Sequence, residues 1–371
     1  MIEPRTHGWI LPALLLMAPS VSAQDAWDDG DPALTIRRMA MFGGTGIRLG
    51  RRQSEPEIYW DLQRIDALPP AGVFHAVTLV EDDWMISYRY FFQSFHGMRD
   101  GRDNISTSTL LGSGTGYTST PRKMTTQTHV FEALYGFDDD WTLFAMVPYL
   151  RKDMTTNTLT DDFDTDSEGI GDLRLGVIRT IKEEQNTMFR VHFGVGIPTG
   201  KFDEKDHDET NTNITLPYVM QLGTGTFDFY PGAVFMKQME GWTWGVQTAA
   251  RIHVGKNSDD WAVSDSNHLT GWYSKQISET IAGSLRFDFF SWGDYHGASK
   301  DLDPDANPAN DPHRQGGNRL DLLGGFNFEL GDGYDQLHRI AVEVGLPVDE
   351  WLDGPQLSSE WMATIGWQLS F

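Results

Sequence analysis

The feature that most constrains this chain is a period-two alternation that begins at Trp84, recurs in segment after segment and ends on Phe371. In the final segment Trp361, Ala363, Ile365, Trp367, Leu369 and Phe371 alternate with Met362, Thr364, Gly366, Gln368 and Ser370. Successive side chains of a β-strand point to opposite faces, so such a segment has one apolar face and one small, polar or charged face. Twelve candidate strands follow: 84–95, 124–137, 141–154, 170–182, 187–198, 225–238, 242–254, 268–277, 280–292, 319–330, 337–347 and 359–371. Alternation alone does not say which face lies inside.

The connections decide it. After even-numbered strands they are short (138–140, 183–186, 239–241, 278–279 and 331–336). After odd-numbered strands they are long and polar, as in 96–123, 155–169, 199–224 and 293–318. A soluble sandwich has no reason to sort loops by parity, whereas a bacterial outer-membrane barrel has short periplasmic turns and long extracellular loops. The expected fold is therefore all-β, a transmembrane antiparallel up-and-down β-barrel of about 12 strands, with outer-membrane lipid as its surroundings. Trp84, Trp141, Tyr149, Trp242, Trp244, Trp292 and Trp361 lie near strand ends, where interfacial aromatic girdles form. A terminal Phe371 with apolar residues two apart behind it resembles the C-terminal signal of such barrels, which makes the barrel-assembly machinery an expected partner.

Composition narrows the alternatives. With 53 acidic and 29 basic residues the net charge is −24, so the basic face that nucleic acid requires is lacking. The absence of cysteine excludes thiolate zinc, iron–sulfur and disulfide scaffolds. No window of about 18 apolar residues is present, so no transmembrane helix is expected. Residues 1–23 read as a signal peptide, with an apolar stretch from Trp9 to Met17 and small residues Val21-Ser22-Ala23 before the cleavage point. Residues 24–83 form an N-terminal segment that either plugs the lumen or lies in the periplasm, with a helical pattern at 58–68 before Pro69-Pro70; residues 84–371 form the barrel. The expected location is the bacterial cell outer membrane.

On this parity the lumen is lined by Arg89, Glu132, Arg174, Arg190, Asp228, Arg251, Arg286, Asp288, Arg319, Asp321, Glu329, Arg339 and Glu343. Mixed charge of this kind suits either a water-filled pathway for a small polar or charged solute, or an ion-pair lattice that fills a closed barrel. Metal-ligand candidates come from two acidic loops: Asp162, Asp164 and Asp166, and Asp206, His207 and Asp208. They suggest a loosely held divalent cation and no other cofactor, since the loop glycine and terminal glutamate of an EF-hand are missing in register. Met85, Met98, Met124, Met146 and Met154, with His75, His96 and His129, are soft donors, but no copper ligand set is complete by spacing. Neither Gly-x-Ser-x-Gly nor His-Glu-x-x-His occurs, and no enzyme is expected.

The stretches WMISYRY (84–90), GMRDG (97–101), GIGDLRLG (169–176), GVGIPTG (194–200), QLGTGTFDFYPG (221–232) and LPVDEWLDGPQL (346–357) resemble the outer-membrane transporter family described under the meta-pathway of phenol degradation. The resemblance covers roughly residues 70–371. It implies an outer-membrane barrel that passes a small solute, an aromatic compound being one candidate, and it carries no catalytic residues. The alternative is a non-conducting barrel that binds calcium or copper through its acidic loops or Met/His residues.

Overall fold

A computed structural model describes residues 60–61, 64–112, 114–208, 210, 212–330 and 337–371. The expected signal peptide and residues 24–59 of the N-terminal segment lie outside the described residues. The wall consists of β1 (Trp84–Gly101), β2 (Ser119–Gly136), β3 (Trp141–Thr158), β4 (Leu173–Glu184), β5 (Thr187–Ile197), β6 (Phe227–Met239), β7 (Trp242–Val254), β8 (Ser266–Ser278), β9 (Ile281–Trp292), β10 (Gly317–Leu330) and β11 (Leu337–Ser370). Each pairs antiparallel with the next, and β11 returns to pair with β1 from Met85↔Ser370 upward, which closes the sheet.

The span β11 supplies two passes. It doubles back around Gly354, whose φ of +108° favours glycine. Across this hairpin Glu350 accepts from Ser358 Oγ at 2.6 Å, and Arg339 donates to Gln368 at 2.6 Å. The first half pairs with β10 and the second with β1, so the barrel has twelve passes in eleven extended elements. Turns of the predicted short class join β2 to β3, β4 to β5, β6 to β7 and β8 to β9, while long excursions occupy the other end.

The side-chain distribution is inverted relative to a soluble protein. Phe287 is 51%, Val344 59% and Ile365 53% exposed on the outer face. Alternate residues point inward, and Asn327, Asp321, Glu343 and Arg339 are buried. Apolar surface outside and polar side chains inside suit a hydrocarbon surround and a closed wall in which every strand finds a partner.

Two local expectations are corrected. The helical pattern at 58–68 yields, among its described residues, only the single 3-10 turn Ile65–Ala67. Wall groups bind this stretch and replace helical partners: Arg64 donates to Met239 O at 2.7 Å, and Asp66 accepts from Thr243 Oγ1 at 2.9 Å. The acidic stretch expected in a loop is instead the extended segment Asp162–Ile170, which pairs with the upper half of β3. The lower half of β3, Trp141–Met146, pairs with β4. Between the two, Asp172 binds the next loops, accepting from Gly200 N at 2.9 Å and from Thr224 N and Oγ1 at 2.8 Å each.

Candidate functional site

The residues before β1 run through the lumen as a strap. Extended backbone inside a barrel brings N–H and C=O groups that need partners, and inward wall residues provide them. Asn327 donates to Leu68 O at 3.1 Å, Gln247 to Phe74 O at 2.6 Å, and Arg339 and Arg190 to the carbonyls of Pro69 and Ala76. Thr142 Oγ1 accepts from Leu79 N at 2.9 Å, and Glu343 accepts from Gly72 N at 2.6 Å. Apolar strap residues Val73 and Ala76 pack on Met188, Val234, Met236 and Trp272. Much of the inward polarity therefore serves as the strap's hydrogen-bond complement.

Mid-barrel charges also pair with one another. Arg286 Nε lies 3.0 Å from Glu343 Oε1, and its Nη1 lies 2.7 Å from Asp288, which also contacts His268. Arg319 and Asp321 are 3.0 Å apart. Arg89 sits 3.9 Å from Glu132 and holds its guanidinium 3.9 Å from the Phe74 ring centroid.

Above the apex of the strap lies a cavity of about 130 Å³, lined by Gly72, Phe74, His75, Phe144, Met146, Arg174, His192, Gly194, Tyr230, Gln247, Ala249, Ala250 and His268. His75 stacks on Phe144 with centroids 4.1 Å apart and tilts against His192 at 4.9 Å. Arg174 lies over the Tyr230 ring at 4.2 Å. The chamber thus combines aromatic faces with a cation and imidazole nitrogens, a lining suited to a small ring that carries a polar group.

The long connections pack over the opposite end. Leu216 and Met220 join Met124 and Met154 from the wall in one apolar cluster, so these methionines act as packing rather than as soft metal donors. Tyr218, Trp261 and Leu302 form another, with Phe202, Val263 and Tyr295 against it. Burial against these rings pushes the Tyr295 hydroxyl up to about 12.

The structure places the expected residues unevenly. Arg286, Asp288 and Glu343 form one network, Arg89 and Glu132 a second, and Arg319 and Asp321 a third. Arg190 and Arg339 bind the strap, Arg251 donates to Ser264 O at 2.9 Å, and Asp228 accepts from Thr226 at 2.9 Å. Glu329 is half-buried near the short-turn end, and Arg174 alone of the thirteen borders the cavity. Of the metal candidates, Asp166 N donates to Asp206 at 2.9 Å, Asp162 pairs with Arg122 at 3.2 Å, and Asp164 accepts from Thr155. Asp208 accepts from Thr210 and Thr212, and exposed His207 lies beside Asp206. Among the described residues no three His, Asp or Glu side chains are grouped to hold a metal. Phe74, Phe144, His192 and Tyr230 carried no charge signal; strand parity marked His192 as inward, but nothing in the sequence showed that the strap would carry Phe74 and His75 to meet it.

A family model described as MetA-pathway of phenol degradation matches residues 99–329. The crystal structure of an outer-membrane channel from Pseudomonas putida F1 superposes with a TM-score of 0.54 at 12% identity, covering 79% of this chain and 97% of that one. The beta domain of the Bordetella autotransporter BrkA gives a TM-score of 0.45 at 11% identity, covering 78% of this chain and 100% of that one. The first likeness extends to the barrel fold. No curated protein matches the sequence.

Proposed function

Because this chain belongs to the family described as MetA-pathway of phenol degradation, we propose that it is an outer-membrane channel for a small aromatic solute. The observation that carries this reading is the chamber at mid-barrel, lined by Phe74, Phe144 and Tyr230 inside a wall whose outer face is apolar. Its volume of about 130 Å³ is on the scale of one aromatic ring; an apolar protein cavity of roughly 150 Å³ accepts benzene. The strap below the chamber limits flux, and the inward arginines that hold its carbonyls set how firmly it stays. The barrel acts by admitting and passing solute, with most of its inward arginines committed to the strap or to carboxylates.

Proteoliposomes that contain the full-length protein test this reading. Entry of phenol or toluene well above that into protein-free vesicles, together with discrete conductance steps in planar bilayers, is the expected outcome. A correctly folded barrel that passes neither ring solutes nor ions removes the proposal.

A further inference from the structure

We propose that the mid-barrel cavity is a binding site for a monoaromatic carboxylate, with Arg174 as the residue that selects the anion; this rests on the channel reading above. Inward arginines elsewhere have partners. Arg286 and Arg319 face carboxylates, Arg190 and Arg339 hold strap carbonyls, and Arg251 donates to Ser264. Arg174 has none of these among the described residues: its guanidinium lies 4.2 Å over the Tyr230 ring, and its Nε is buried with no hydrogen-bond partner.

Two further donors or acceptors share that condition at the same cavity. His192 is 6% exposed and its Nδ1 is unpartnered, while Nε2 of His75 makes no hydrogen bond and has only Glu132 Oε1, 3.5 Å away, beside it. Arg174 is half-buried with its Nε out of reach of water, and a carboxylate opposite a guanidinium satisfies such a group with two parallel hydrogen bonds. A hydrocarbon would leave Arg174 Nε and His192 Nδ1 unpaired. A phenol offers one oxygen, while an aromatic acid offers two oxygens and the ring that Phe74 and Phe144 accommodate. Glu132 lies behind His75, 3.5 Å from its Nε2, and its charge disfavours an anion on that side, so the carboxylate points toward Arg174.

Calorimetry on the detergent-solubilised full-length protein, titrated with benzoate, phenol and toluene, tests the assignment. Benzoate is expected to bind most tightly. Arg174→Met should weaken benzoate by about tenfold or more, the scale of a charge-assisted hydrogen bond, and change toluene far less. Arg174→Lys, which keeps the charge but loses the fork, should fall between the two. Should Arg174→Met fail to fold, as read by heat-dependent gel mobility, Arg174→Gln takes its place. Equal affinity for benzoate and toluene, or an unaltered benzoate affinity in the variants, overturns the assignment. Arg174-dependent binding of benzoate by a barrel that passes no solute in vesicles would retain the site and sink the channel reading instead.

Discussion

Glu343, on the barrel wall, accepts the backbone N–H of Gly72 at 2.6 Å through one oxygen while the other lies 3.0 Å from Arg286 Nε. The two residues stand 271 positions apart in sequence. Gly72 has no room for a side chain, because a Cβ there would run into the Arg286 guanidinium. One carboxylate thus joins the wall's charge network to the apex of the strap.

Glu343→Ala should therefore have two effects. Truncating one partner of a buried, hydrogen-bonded charge pair costs about 2–5 kcal/mol, read by urea unfolding in vesicles. The strap loses an anchor as well, so single-channel conductance should rise. A variant with unaltered stability and conductance would show that the contact does not hold the strap.

Phe287 projects from the outer face of β9. Phe287→Arg should destabilise the membrane-inserted barrel by about 2–4 kcal/mol, the cost of a cationic side chain near the bilayer midplane. Refolding into vesicles across a urea gradient measures it; a neutral result would place this face out of contact with lipid.

Asp172 accepts three hydrogen bonds from two residues of the long excursion after β5. Asp172→Ala leaves buried donors without partners at about 1–3 kcal/mol. The expected readout is faster protease cleavage within residues 198–226 at an unchanged unfolding midpoint of the barrel. Cleavage at the wild-type rate would separate Asp172 from loop order.

Tyr295 gives the loop cap a pH limit. Its hydroxyl, raised by burial from the ordinary tyrosine value of 10.0 to about 12, stays protonated to higher pH in the folded cap than in an opened one. Its contribution is complete below pH 10 and is lost as pH rises through 12. Trp261, whose ring lies 6.0 Å from that of Tyr295, should report the opening by fluorescence between these limits. Tyr295→Phe should remove that transition; its persistence would assign the opening to another group.

By itself the sequence determined the wall. Alternation from Trp84 to Phe371 and the parity of the connections required a closed antiparallel barrel with its apolar side chains outward, because a strand has a period of two and hydrocarbon tolerates no open edge. The same parity put Arg286 near Asp288 and Arg319 near Asp321. Only the tertiary structure decided what fills the lumen. Residues 69–83 have no periodicity to announce a course, since their backbone partners are wall side chains up to hundreds of positions away, such as Arg339 for Pro69 and Gln247 for Phe74. The cavity that Phe74 and His75 complete with Phe144, His192 and Arg174 exists only once that strap is seated. A repeating pattern is legible because each residue reports on its own neighbours; a site assembled from distant stretches of chain depends on contacts that no local window contains.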